Sequence, residues 1–138
     1  MSNQRPLIAV IDDDEPVRKA LERLLRAVGF EVEVFAGGSE FLHSLPGHRP
    51  DCAVLDLHMP HVTGFDVQLR LTGAYPSVPV VIVTGHDSPE ARERAVTGGA
   101  RAYLRKPIDG PALLDAIASA LGSTGGSTSL TSGIVLSE

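Results

Sequence analysis

One cysteine, Cys52, stands in 138 residues, so an internal disulfide is excluded and the chain fits a reducing compartment. Cys52 itself reads as a small hydrophobe on a buried strand. No uninterrupted run of about 18 apolar residues exists, which excludes a helical membrane span. Behind Met1-Ser-Asn-Gln-Arg5 there is no signal-peptide core, so the expected location is cytoplasmic. Positive charge is also short. A net charge of −5 and a pI of about 5.5 argue against a broad basic surface for nucleic acid. What remains is 43% apolar and 21% charged, the composition of an ordinary soluble globular chain. Its length suits one domain with a core of its own.

Apolar runs alternate with helical patterns five times, which predicts a parallel sheet flanked by helices. The strands are Leu7 to Ile11, Glu31 to Phe35, Cys52 to Leu55, Val78 to Val83 and Ala102 to Leu104. Glu31 to Phe35 alternates polar and apolar as an edge strand does, whereas Val78 to Val83 is continuous, as a strand buried on both faces should be. The first helix has Asp14 as N-cap, Pro16 in its first turn and Gly29 as its stop. Its apolar stripe is Val17, Leu21, Leu24, Leu25 and Val28. Gly37-Gly38-Ser39 opens a short second helix with Phe41, Leu42 and Leu45. Gly64 opens a third with Phe65, Val67, Leu69 and Leu71. Ser88 and Pro89 open a fourth that ends at Gly98-Gly99, and Leu113, Leu114, Ile117 and Leu121 mark the fifth. The folded domain is read as residues 1–121. Residues 122–138, rich in Gly, Ser and Thr and broken only by Ile134-Val-Leu136, read as a linker or tail.

Acidic residues follow two strands: Asp12, Asp13, Asp14 and Glu15 after the first, and Asp56 after the third. The ends of parallel strands form the rim where α/β sheets gather ligands. Two carboxylates at ~4 Å and an effective dielectric near 20 repel by about 4 kcal/mol. A positive partner is therefore expected between them: a divalent cation, together with Lys106. Carboxylate oxygens suit Mg2+, with Mn2+ as the alternative. Alone, the acidic run also reads as a helix first turn favoured by the dipole. Thr84 at the end of strand four and Lys106-Pro107 at the end of strand five bring four features to one rim.

The stretches Val10-Ile-Asp-Asp-Asp-Glu-Pro-Val-Arg18, Leu55-Asp-Leu-His-Met-Pro60 with Gly64, Val83-Thr-Gly-His86 and Tyr103-Leu-Arg-Lys-Pro107 resemble the receiver domain of bacterial two-component response regulators. The resemblance runs from about Leu7 to Leu121. Thr84-Gly-His86 and Phe35-Ala-Gly-Gly-Ser-Glu-Phe-Leu42 are similar to the FixJ-like subfamily. It implies a flavodoxin-like, doubly wound α/β fold with five parallel strands in the order 2-1-3-4-5 and five helices.

It also implies roles. Asp56 is the phosphoacceptor that attacks a phosphohistidine on a sensor histidine kinase. Asp13 and Asp56 hold Mg2+ by side chain, Asp12 acts partly through water, and His58 lends its backbone carbonyl. Lys106 pairs with the phosphoryl group and Thr84 donates a hydroxyl hydrogen bond. Gly85 leaves the approach to Asp56 open. Thr84 and Tyr103 form the switch; the family suggests a cis bond before Pro107, which the sequence by itself leaves open between cis and trans. His58 and His86 occupy positions that set phosphoryl lifetime, and both titrate near neutrality, so that lifetime is expected to depend on pH. Loop spacing and the lack of thiols argue against a transition-metal cluster of these histidines with His61.

The implied function is a phosphorylation-dependent signalling switch, not a conventional enzyme. Its output is transcription through an effector domain absent here, with homodimerisation on phosphorylation and no direct nucleic-acid binding by this chain. A stand-alone regulator acting by protein contact is the alternative. A Mg2+-dependent aspartyl-phosphate phosphohydrolase is a weaker rival, since such enzymes need a carboxylate where this chain has His58. A flavin carrier wants a phosphate loop where this chain is acidic. A receiver that cannot be phosphorylated is opposed by the presence of every required side chain.

Overall fold

A computed structural model describes residues 5–122. The tail expected from Gly122 to Glu138, with Ile134-Val-Leu136, lies outside the described residues beyond Gly122. The elements run β1 (Leu7–Ile11), α1 (Glu15–Ala27), β2 (Glu31–Phe35), α2 (Gly38–Ser44), β3 (Cys52–Asp56), α3 (Gly64–Ala74), β4 (Val80–Thr84), α4 (Pro89–Thr97), β5 (Ala102–Arg105) and α5 (Gly110–Leu121). A 3-10 turn, Leu45–Gly47, follows α2 and contains Leu45, which the sequence pattern assigned to the helix.

All four strand pairings are parallel, and the order is β2-β1-β3-β4-β5. Side-chain alternation along each strand divides the core in two. Ile8, Val10, Val54, Val81 and Val83 meet Leu21 and Leu25 of α1 and Leu113 and Ile117 of α5. Ala9, Ile11, Leu55 and Ile82 meet Phe41 of α2, Val67 and Leu71 of α3 and Ala95 of α4. Both β3 and β4 are buried along their whole length, which is why they read as unbroken apolar runs. Cys52 is fully buried, and burial pushes its thiol up to about 12.

Local signals explain the helix ends. Asp14 Oδ1 accepts from Val17 N at 3.5 Å, and Ser88 Oγ accepts from Ala91 N at 3.0 Å. Thr63 and Asp66 exchange hydrogen bonds of 2.9 and 3.2 Å as a capping box ahead of α3. Gly29 ends α1 with φ 104°, a conformation that glycine adopts without the Cβ penalty.

Several expectations need correction. β4 begins at Val80, not Val78: Pro79 has no N–H for the ladder, although its carbonyl still accepts from Ala53 N at 2.9 Å. β3 runs on to Asp56 and β5 to Arg105. Val28 caps α1 and is 50% exposed, and Leu69 is 73% exposed. Leu69 lies two residues from both Val67 and Leu71, which puts it on the opposite side of the helix. The buried residues of α3 are Gly64, Val67, Gln68 and Leu71.

Candidate functional site

Parallel pairing brings the C-terminal ends of β1, β3, β4 and β5 to one rim. Asp12 follows β1, Asp56 ends β3, Thr84 ends β4, and Lys106 follows β5. Asp56 pairs in register with Val83, so Thr84 lies one residue beyond it on the neighbouring strand. Carboxylate oxygens of Asp12, Asp13 and Asp56 lie within 4.8 Å of one another. Lys106 Nζ stands 2.8 Å from Asp12 Oδ2 and 3.6 Å from Asp56 Oδ1. The convergence expected from the sequence is therefore present.

Backbone contacts fix these groups. Asp12 N donates to Phe35 O at 3.1 Å, Arg18 Nη1 donates to Asp12 O at 2.8 Å, and Asp14 N donates to Asp12 Oδ1 at 2.9 Å. Lys106 N donates to Thr84 O at 2.8 Å, which ties the end of β5 to that of β4. The Lys106–Pro107 bond is cis, as the resemblance implies. Gly64 has the tightest requirement. A Cβ there would collide with Asp56 O and stand 2.7 Å from Leu57 Cα, so only glycine lets the start of α3 close onto the end of β3. The sequence pattern shows Gly64 in place without showing this reason for it. A Cβ on Gly85 would meet only Lys106 Cδ, at 3.8 Å, so ordinary packing does not require glycine there.

Charge at the rim is unbalanced, with three carboxylates facing one ammonium. Asp12 has no exposed surface and Asp56 only 3%. Burial first, and then the Asp12 charge, push the Asp56 carboxyl up to about 6, while Lys106 opposes the shift. Burial pulls the Lys106 ammonium down, but Asp12 and Asp56 outweigh it and hold it above its ordinary value. Asp12 Oδ2 is buried without an aligned hydrogen-bond donor, although Lys106 supplies charge beside it. An all-oxygen, net-negative cluster with one such oxygen fits a hard divalent cation.

Thr84 is fully buried. Its Oγ1 accepts from His86 N at 3.0 Å and lies 3.3 Å from His58 Nδ1. The His58 and His86 rings, both exposed, are 4.5 Å apart. Burial, His86 and then Lys106 lower the His58 value from its usual 6.5, so its share of any pH effect falls below neutrality. His61 has a positive φ of 66° and is absent from the metal-type cluster of the described residues. Tyr103 is half-buried, and its hydroxyl donates to Asp87 Oδ1 at 2.9 Å. Asp87 was not singled out from sequence, where it appears only as a polar residue ahead of the Ser88 cap.

A model of the response regulator receiver domain matches residues 8–118. The chain is 35% identical over 121 residues to the response regulator protein TodT of Pseudomonas putida, covering 88% of this chain and 53% of that protein. The crystal structure of a response regulator receiver protein from Burkholderia phymatum is 44% identical, with a TM-score of 0.77, over 86% of this chain and 96% of that one. The crystal structure of FixJ-N is similar over 92% of this chain and 99% of its own, at 29% identity and a TM-score of 0.79. The chain spans about half the length of the first curated relatives it matches.

Proposed function

This chain belongs to the response regulator receiver domain family, and from that premise we propose that Asp56 accepts a phosphoryl group from a sensor histidine kinase. The observation that supports this most directly is the meeting of Asp12, Asp13, Asp56 and Lys106 at one rim. An Asp56 oxygen attacks phosphorus in line as the P–N bond to the donor histidine breaks, leaving an acyl phosphate on Asp56. Asp12, Asp13 and Asp56, with the His58 carbonyl, would hold Mg2+ or Mn2+. That ion, when bound, offsets charge on the phosphoryl oxygens.

The chain's own residues do the rest. Lys106, already 3.6 Å from Asp56, pairs with a phosphoryl oxygen as a point charge. Thr84 turns its hydroxyl from the His58–His86 side toward that group, and Tyr103 changes position in response. This is a shift between two packings, and its size is limited by how much more strongly one of them holds the phosphoryl group. His58 and His86, whose tilted rings meet beside Thr84, govern access of water and so the lifetime of the acyl phosphate. The state is passed to an effector that controls transcription, and homodimerisation is one route for doing so.

The test is incubation with Mg2+ and acetyl phosphate, followed by intact mass. A gain of one phosphoryl group is expected in the wild-type chain and none in Asp56→Asn. A wild-type chain that stays unmodified and also ignores beryllofluoride would refute the assignment.

A further inference from the structure

Away from the acidic rim, a second group of charges gathers where the loop after β4 meets α4 and β5. Asp87 is at its centre. Its Oδ1 accepts the Tyr103 hydroxyl at 2.9 Å, and its Oδ2 faces Arg92 Nη2 at 3.5 Å and Arg105 Nη1 at 3.8 Å. The Arg92 guanidinium also lies over the Tyr103 ring, 5.4 Å from its centroid. From the loop between β4 and α4, one carboxylate thus touches both the first turn of α4 and the end of β5.

The other end of that loop is tied to Thr84, because His86 N donates to Thr84 Oγ1 at 3.0 Å. Polar contacts therefore run from the Thr84 hydroxyl through His86 and Asp87 to the Tyr103 phenol. A direct route between the two switch residues is less favourable. The β4–β5 register sets Tyr103 beside Ile82, while the neighbour of Thr84 is Arg105, itself a partner of Asp87. The two ion pairs are exposed at their arginines and so contribute little. The hydrogen bond from the half-buried phenol to a charged acceptor is the firmer link.

We propose that Asp87 is a positioning residue that couples Tyr103 to Thr84, so that movement of the threonine hydroxyl is passed along the loop to the phenol. The proposal rests on Asp56 being the phosphoacceptor. When Thr84 turns toward a phosphoryl group, its acceptor oxygen leaves or drags His86 N–H. The backbone of residues 86 and 87 follows, and the Asp87 carboxylate carries the phenol with it.

The chain has two tyrosines and no tryptophan, so Tyr75→Phe leaves Tyr103 as its only tyrosine emitter. Beryllofluoride with Mg2+ serves as the probe, and its bound 19F resonance reports occupancy independently of Tyr103. In the Y75F chain the mimic is expected to change Tyr103 emission. In Y75F with Asp87→Ala the mimic binds and the emission change is lost. Asp87→Asn, which keeps an acceptor oxygen, restores part of it. Burial first, and then the Asp87 hydrogen bond, push the Tyr103 phenol up to about 12, so a spectrophotometric titration should find it ionising at lower pH in D87A. If D87A and D87N both bind the mimic and keep the full response, the coupling is overturned. If the Y75F parent binds no beryllofluoride, the acceptor reading falls and takes the coupling with it.

Discussion

Helices α4 and α5 pack on opposite faces of the same sheet but are held in different ways. α5 buries Leu113, Ile117 and Ala120 against β-strand valines and α1, an attachment that is apolar and has no preferred alternative. α4 buries only Ala95. Beyond that and the half-buried Ala91, it is held by Gln68 Nε2 donating to Ala95 O at 3.0 Å, Thr72 Oγ1 donating to Gly98 O at 3.4 Å, and Arg94 stacked 4.0 Å over Phe65. Polar contacts have short range and can be exchanged, whereas a close-packed apolar face resists small displacements. The helix that follows the Asp87 loop is the one whose hold can be rearranged at modest cost. Rigidity on one face gives the other something to move against.

Ile117→Ala should break this contrast most strongly. Ile117 is fully buried, and its truncation is expected to cost about 2–5 kcal/mol, read by urea denaturation. A similar loss on truncating an exposed α4 residue would erase the distinction between the two helices.

The acidic rim extends the contrast, because there burial works against the fold. Asp56 binds its proton more tightly in the folded chain, with its value raised from 3.8 to about 6. The native state therefore holds more protons than the unfolded state between those values. Stability contributed by the protonated form is present below about 4 and is lost as pH rises toward 6. With chelator present, Asp56→Asn is expected to be more stable than wild type by about 2–3 kcal/mol at pH 7 and nearly equal at pH 4. Thermal melts across that range test it, and a constant difference would remove Asp56 as the source. Adding Mg2+ should raise the wild-type melting temperature and narrow the gap, as binding to the native state alone requires.

Much of the arrangement was legible in the sequence because strands buried on both faces are written as unbroken apolar runs. The alternation of β and α patterns forces crossovers, so the ends of successive parallel strands share a rim. That was enough to bring Asp12, Asp56, Thr84 and Lys106 together. Strand order came from resemblance, since periodicity does not say which strands are neighbours. Packing choices that break the binary pattern were not legible. Gln68 faces inward and Leu69 outward, and a hydrophobicity pattern gives the reverse. Asp87 was hidden for a similar reason. Its partners, Tyr103, Arg92 and Arg105, are distant in sequence or ordinary in type, and only the fold brings them to one carboxylate.

Gln68 therefore offers a finer test. Gln68→Ala removes a buried donor, but Ala95 O still accepts from Ala100 N at 3.1 Å and so is not orphaned. The expected loss is about 1–2 kcal/mol, chiefly one hydrogen bond and some packing, well below that of Ile117→Ala. Hydrogen exchange should speed up in α4 more than in α5, since the released helix opens locally. At the small end, Val96 lies on the outer side of α4 and is 52% exposed, so Val96→Ala should change stability by less than about 0.5 kcal/mol. The neighbouring Ala95 is fully buried, and it and the half-buried Ala91 are the α4 side chains that pack into the core. A large loss at Val96 in denaturant titration would mean that its outer face is covered in solution, and α4 would no longer be the loosely held partner of the pair.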